Sequence, residues 1–294
     1  MKSGFVSIVG RPNVGKSTLL NKIINKKIAI TSDKVGTTRN IIYGIYNEDD
    51  AQIVFVDTPG IQKSFNKLGD VLNKKAYSSL ENDLVLFLID VSSGFGPNDK
   101  KLLNRLKEEK KQVILVLNKI DKLKDKELII KTIDEVKDLY DFKEIIPMSS
   151  LKGSTDELIK TIKKYLKDDI KYFDDDVLTN VTEKFMVSEI IREKVLMLTR
   201  EEVPHAVTTL VESMEFKKDS VYINALIIVD RENLKSIIIG KRGSMLTKIG
   251  TLARADIEDL LGKKVYLKLF VKVIESWREK DNLFEYLGIN ESDE

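Results

Sequence analysis

Gly10-Arg11-Pro12-Asn13-Val14-Gly15-Lys16-Ser17 has the spacing that wraps a phosphate in backbone amides. The two glycines let successive N–H groups turn inward around a β-phosphate, and the start of the following helix adds its positive end. Lys16 is then within reach of the β- and γ-oxygens, and the Ser17 hydroxyl is a Mg²⁺ ligand. Asp57-Thr58-Pro59-Gly60-Ile61 supplies the next pieces. Asp57 holds Mg²⁺ through a water, and the Gly60 N–H meets the γ-phosphate where only glycine permits so close an approach. Asn118-Lys119-Ile120-Asp121 reads the base. Asp121 accepts from guanine N1–H and the 2-amino group, whereas adenine offers neither donor and would leave a buried carboxylate unpaired. Asn118 bridges the base edge and the phosphate loop, the Lys119 stem lies along the ring, and Ser149-Ser150-Leu151 presents an N–H to guanine O6. Within Gly36-Thr37-Thr38-Arg39 one threonine completes the Mg²⁺ shell; Thr38 is favoured and Thr37 is the alternative. Losing that contact on hydrolysis would release the loop. The chemistry is GTP hydrolysis to GDP and phosphate, with Lys16, Ser17, Thr38, Asp57 and Gly60 acting on the transferred group.

Such residues must sit at strand ends and helix starts. Apolar runs predict strands at Phe5–Val9, Ile41–Tyr46, Gln52–Val56, Leu84–Ile89, Gln112–Leu117 and Glu144–Ile146. Helical periods predict helices at Lys16–Ile24, Leu68–Leu80, Asn98–Glu109, Lys126–Leu139 and Thr155–Leu166. That alternation is an α/β fold with a doubly wound sheet, and each motif falls where the sheet would present it. The segment Ile28–Asn40 has no clean period and reads as a mobile loop. An acidic stretch at Lys167–Asp176 breaks the pattern, so the domains are placed at 1–168, a linker at 169–181, a smaller α+β domain at 182–281 and a frayed tail at 282–294.

The second half runs helix (Thr182–Leu198), strand (Ala206–Phe216), strand (Val221–Val229), short helix (Leu234–Ile239), longer helix (Ser244–Leu261), strand (Val265–Val273). Gly240-Lys241-Arg242-Gly243 joins the two helices, with Ile238 and Ile239 before it and Lys248 and Ile249 after. Bare glycine backbone lets a sugar-phosphate pack closely, Lys241 and Arg242 supply charge, and Ile238, Ile239 and Ile249 line a groove for bases or else belong to the core. Lys235, Lys248, Arg254, Lys263, Lys264, Lys268 and Lys272 make this region basic. His205 has no histidine or cysteine partner and reads as structural or incidental; Trp277 reads as a packing residue.

A chain of 294 residues predicts two domains, and a formal charge of +2 says little about partners. With no cysteine, disulfide and thiolate chemistry are excluded. The N-terminus passes from Met1-Lys2 into a strand without a signal-peptide pattern, and no apolar run suffices to cross a bilayer; a cytoplasmic protein is expected.

The five nucleotide motifs, in order and in register, resemble translation-factor-class GTPases of the Era type. Leu68-Gly69, Asn73-Lys74 and Ser78-Ser79-Leu80 are similar to that family's second switch helix. Ser150 stands where the family more often has alanine, with little consequence because a main-chain contact acts there. The second half resembles a type II KH domain, a fold that clamps about four nucleotides of single-stranded RNA. The resemblance covers almost the whole chain. It implies binding near the 3′ end of 16S ribosomal RNA and a role in small-subunit (30S) assembly and maturation, by a monomer with peripheral association at the inner membrane face. Ile61 stands where Ras-like enzymes have a water-orienting glutamine, so intrinsic hydrolysis should be slow. Two readings of Asn13 stay open: it helps hold K⁺ against the phosphates, or it is a turn residue. Two other functions also stay open: an RNA-binding chaperone using GTP as a structural ligand, and a GTPase whose second domain binds protein or membrane.

Overall fold

The computed structural model describes residues 1–61, 66–78, 82, 84–280, 283–284 and 289. Residues 79–80, at the end of the helix expected over Leu68–Leu80, and most of the expected tail lie outside the described residues. The chain divides into two compact units: residues 1–29, 38–65 and 69–180, and residues 30–37, 66–68 and 181–294.

The first unit is built on a six-stranded sheet. Its elements are β1 (Lys2–Gly10), α1 (Lys16–Ile24), β2 (Ile42–Glu48), β3 (Ala51–Asp57), α2 (Lys67–Ser78), β4 (Leu84–Asp90), α3 (Pro97–Glu108), β5 (Gln112–Asn118), α4 (Glu127–Val136), β6 (Glu144–Pro147) and α5 (Asp156–Tyr165). Strand order is β2-β3-β1-β4-β5-β6, with β2 antiparallel to β3 and the remaining pairs parallel. The inner strands are near-continuous Val, Ile, Leu and Phe because helices cover both faces of a parallel sheet. Parallel pairing also brings the carboxyl ends of β1, β3, β4 and β5 to one edge, with Ile8 paired to Asp57 and Asp90 to Asn118. Ligands of such sheets bind at that edge.

Helix α1 follows the loop directly, buries Leu19, Leu20 and Ile23, and stops at Asn25 in the left-handed region. The acidic stretch assigned above to a linker lies against this unit. Ser3 N donates to Asp168 O at 2.8 Å, the Gln52 side chain bonds Tyr172 N and Phe173 O, and Ile45 N donates to Leu178 O at 2.9 Å.

The second unit contains α6 (Glu183–Leu198), the single turn α7 (Val203–Ala206), β7 (Val207–Phe216), β8 (Ser220–Val229), α8 (Glu232–Ile239), α9 (Ser244–Leu261) and β9 (Lys264–Val273). β8 is central, antiparallel to β7 and parallel to β9. Its alternate residues Val221, Ile223, Ala225, Ile227 and Val229 enter a core shared with Ile238, Ile249, Ala253 and Ile257 from α8 and α9. Trp277 is fully buried and its indole N–H donates to Ala206 O at 2.9 Å, a packing role as expected. His205 is exposed.

Residues 30–37 belong to this unit by their contacts. Ile30 is part of its core, Glu193 accepts from Thr31 N at 3.0 Å, and buried Arg192 donates to Thr37 O while pairing with Glu189 at 2.6 Å. The stretch expected to be a mobile loop therefore has specific anchors.

Candidate nucleotide site and RNA groove

The loop after β1 turns on residues with positive φ: Gly10 (155°), Asn13 (64°) and Gly15 (105°). A Cβ on Gly10 would lie 2.6 Å from Leu88 O, and one on Gly15 would strike the Asn118 amide. Both glycines are thus required twice over, by conformation and by space. Exposed Asn13 adopts a conformation that asparagine tolerates better than most residues, which accounts for it as a turn residue. Buried Val14 anchors the loop.

Lys16 is buried at the mouth of α1 and donates to Gly10 O and Arg11 O, both at 3.2 Å, so its ammonium caps the hollow that a phosphate would fill. Burial pulls its pKa below the ordinary lysine value, and the Asp57 charge opposes that pull. Ser17 Oγ donates to Asp57 Oδ2 at 2.5 Å and lies 2.9 Å from Thr38 Oγ1. Ser17, Thr38 and Asp57 are therefore gathered at one point. Thr37 Oγ1 instead donates to Lys34 O at 2.6 Å. Of the two threonines, Thr38 is the one whose hydroxyl is directed to the site.

Asp57 is fully buried, and its Oδ1 has no hydrogen-bond partner. Burial pushes its carboxyl up to about 6, against the pull of Lys16 and hydrogen bonds from Ser17 and the Thr58 N–H. An unpartnered buried carboxylate oxygen beside two hydroxyls fits Mg²⁺, which takes few protein ligands and completes its shell with water and phosphate. Thr58 Oγ1 donates to Ile8 O at 3.3 Å, and Pro59 is buried. A Cβ on Gly60 would come within 2.8 Å of Pro12 N, so glycine lets the two loops close on each other. Ile61 is partly buried against the core beneath β4 and β5 and offers no hydrogen bond to a water.

The residues expected to read the base are joined to the phosphate loop. Asn118 Nδ2 donates to Val14 O at 2.7 Å, while its Oδ1 accepts from Ser150 N and Ser150 Oγ, each at 2.9 Å. Lys119 crosses from Asn13 O to Asp90, 2.7 Å away, which fixes the direction of its stem. Burial opposes ionisation of Asp90, yet hydrogen bonds from Lys119 and Ser92 hold its carboxyl below the usual range. Ile120 N donates to Met148 O at 3.4 Å. Asp121 accepts from Ser149 Oγ at 2.6 Å but is exposed, unlike the buried carboxylate expected from the sequence, because it sits in the loop after β5 rather than within the strand. Leu151 is exposed beside it.

Arg11 behaves differently from its neighbours. Its guanidinium pairs with Asp99 at 2.8 Å and donates to Gly94 O at 2.8 Å and Ser93 Oγ at 3.1 Å, leaving only its backbone for a nucleotide. Asp99 is buried at the first turn of α3, and the Gly96 N–H donates to it at 2.8 Å. Asp90 and Asp99 thus hold Lys119 and Arg11. Sequence reasoning missed both; the signal for Asp99 was its place just after Gly96-Pro97, where a helix start needs a carboxylate.

In the second unit Gly240 (φ 73°), Arg242 (φ 52°) and Gly243 (φ 79°) form the turn between α8 and α9. A Cβ on Gly240 would sit 2.7 Å from Met245 Cβ, whereas Gly243 faces open space. Lys241, Arg242 and Lys248 are exposed, as a phosphate contact requires. Ile238 and Ile249 are fully buried and Ile239 partly so. Ile238 and Ile249 support the turn from the core rather than line a groove, because the helix must commit those positions to packing; Ile237 is the exposed member of the run. The groove itself, about 460 Å³, lies between α9 and β9 and includes Leu246, Gly250, Arg254, Tyr266 and Lys268.

Fold and site together define a P-loop GTPase joined to a KH domain. The family model described as 50S ribosome-binding GTPase matches residues 5–119, and the KH domain model matches residues 202–278. The chain is 43% identical to Aquifex aeolicus Era, solved as a variant with GDP and AlF4⁻, over 98% of this chain and 99% of that one (TM-score 0.94). It is equally 43% identical to Era solved with MgGDPNP and nucleotides 1506–1542 of 16S ribosomal RNA, with the same coverage and a TM-score of 0.95. The chain belongs to the Era family of GTPases.

Proposed function

We propose that the chain is a GTP-hydrolysing switch that binds single-stranded 16S ribosomal RNA near its 3′ end through the KH domain and acts in small-subunit assembly. The observation that carries the catalytic half is the Ser17–Asp57–Thr38 cluster under the capping ammonium of Lys16. The RNA half rests on the Gly240–Gly243 turn and adjoining groove, together with the Era relative crystallised with 16S RNA. The mention of the 50S particle belongs to the GTPase model alone; an Era structure that matches both domains was solved with nucleotides 1506–1542 of 16S RNA.

In the reaction, water attacks the γ-phosphorus, the bond to the β-bridging oxygen breaks, and GDP leaves. Lys16 and the inward N–H groups stabilise charge on the bridging and γ-oxygens. Gly60 N–H holds a γ-oxygen. Ser17, Thr38 and, through water, Asp57 would hold Mg²⁺, which neutralises charge on the β- and γ-oxygens. Because Ile61 cannot orient water, Asn13 would hold K⁺ against the phosphates in this reading, and equal turnover in Na⁺ and K⁺ buffers would leave it a turn residue only.

The switch follows from chain continuity. Thr38 bonds at the metal site, while the preceding residues 30–37 are anchored in the second unit by Arg192, Glu193 and Ile30. Release of Thr38 on loss of the γ-phosphate is thereby passed to α6. Among the described residues no helix is long and apolar enough to cross a membrane. We place the protein in the cytoplasm as a monomer, with any contact at the inner membrane face peripheral and made by the same basic surface. Filter binding of the full chain to single-stranded RNA at several salt concentrations tests the RNA assignment. Affinity that falls steeply with salt is expected; no retention would favour a protein or membrane partner.

A further inference from the structure

We propose that the exposed aromatic and basic strip on the face of the β7-β8-β9 sheet opposite α8 and α9 is a stacking platform that receives single-stranded RNA as it leaves the KH groove; this rests on the RNA reading above. Strand β9 alternates strictly. Val265, Leu267, Leu269, Val271 and Val273 pack on the helix side, and Lys264, Tyr266, Lys268, Phe270 and Lys272 are all exposed on the other. A solvated strand face has no reason to carry large rings, yet Tyr222, Tyr266 and Phe270 are 44%, 45% and 52% exposed. Tyr222 lies opposite Tyr266 in the parallel register, with centroids 4.7 Å apart and planes 14° from parallel. The Lys264 ammonium sits 5.6 Å from the Tyr266 ring centre.

Rings alternating with ammonium groups match a polyanion that carries flat bases. Tyr266 is occupied by Tyr222 and Lys264, so bases stack on the outer face of Tyr222 and on Phe270 while phosphates pair with Lys268 and Lys272. Same-face residues on a strand are about 7 Å apart, a repeat that an extended nucleotide chain can follow. An apolar protein partner would instead have to bury three ammonium groups without counter-charges. The platform also continues the groove, because Tyr266 and Lys268 on the edge strand border both. Glu215, opposite Tyr222 on β7, sets its far limit.

The test is fluorescence anisotropy of the full chain with two labelled RNAs sharing one end, a pentamer that fills the groove and a dodecamer that overruns it. Neither Tyr222 nor Phe270 lines the groove. The double variant Tyr222→Ala/Phe270→Ala is expected to bind the pentamer like the parent chain and the dodecamer roughly tenfold or more weakly. Tyr222→Leu/Phe270→Leu keeps apolar bulk without a planar face and is expected to lose the same affinity. Bromouridine in the overrunning half is expected to crosslink to Tyr222 or Phe270. Equal affinity of the parent chain for both RNAs, full affinity in the leucine variant, or crosslinks confined to the groove would each overturn the platform. Failure of the parent chain to bind either RNA would remove the clamp reading itself, and the platform with it.

Discussion

The two sites are built by opposite means. At the candidate nucleotide site, most polar side chains are buried and braced by named partners: Asn118 ties Val14 to Ser150, Asp99 holds Arg11, and Ser17 meets Asp57. In the KH unit the core that supports the Gly240–Gly243 turn, with Ile238, Ile249 and Ala253, is apolar, and Lys241, Arg242 and Lys248 project into solvent. The first arrangement is a mould that fixes reacting atoms, as catalysis demands. The second is a surface that adapts to a flexible chain, as RNA clamping demands. Removing one atom should therefore cost the first site far more than the second.

The largest effect is expected at Lys16. Lys16→Ala removes the ammonium over the phosphates, and phosphate release should fall at least about a thousandfold; RNA affinity measured with GDP should be unchanged. Gly243→Asp is next. At φ 79° the new side chain strains the turn and places a carboxylate where phosphate must lie, so RNA binding should fall about a hundredfold while GTP affinity stays constant. Retained RNA affinity in that variant would break the comparison at the KH end. Asp121→Asn should shift preference from GTP toward XTP by about tenfold to a hundredfold, and a competition assay showing unaltered selectivity would remove its base-reading role.

The smallest effect is in pH dependence and sharpens the contrast, because it needs a buried titrating group. Asp57 is raised to about 6 by burial, so the metal-free folded chain keeps a proton that the unfolded chain loses near its ordinary value. The stabilisation from that proton is complete below about pH 4 and lost as pH rises through about 6. Mg²⁺ needs the carboxylate, so Mg·GTP affinity should move oppositely, falling up to about tenfold per unit below pH 6. Calorimetric melts of Asp57→Asn should lack this pH-dependent loss, and a wild-type profile retained in that variant would assign the titration elsewhere.

The same contrast explains what the sequence discloses. Gly10, Gly15, Lys16, Asp57 and Asn118 are legible because backbone closing on a phosphate fixes residue type and spacing together. The partners that brace them are not, since Asp90 and Asp99 meet Lys119 and Arg11 only after the strands are aligned. Ile237-Ile238-Ile239 shows the limit in the KH unit. Three identical side chains carry no mark of which one faces solvent, and the helix phase decides it. The Tyr266-Lys268-Phe270 alternation is plain in the chain, but any half-exposed strand alternates, and only the opposing Tyr222 gives it meaning.

The central claim is that the phosphate state at Thr38 reaches the RNA clamp through residues anchored by Arg192. It is tested most directly by titrating one single-stranded RNA of the 16S 3′ sequence against the full chain loaded with Mg·GDP and then with a non-hydrolysable Mg·GTP analogue. The account predicts affinities differing by about fivefold or more between the two states, and a difference that shrinks in Arg192→Ala. Identical affinity in both states, by a chain that binds RNA and both nucleotides, would contradict it.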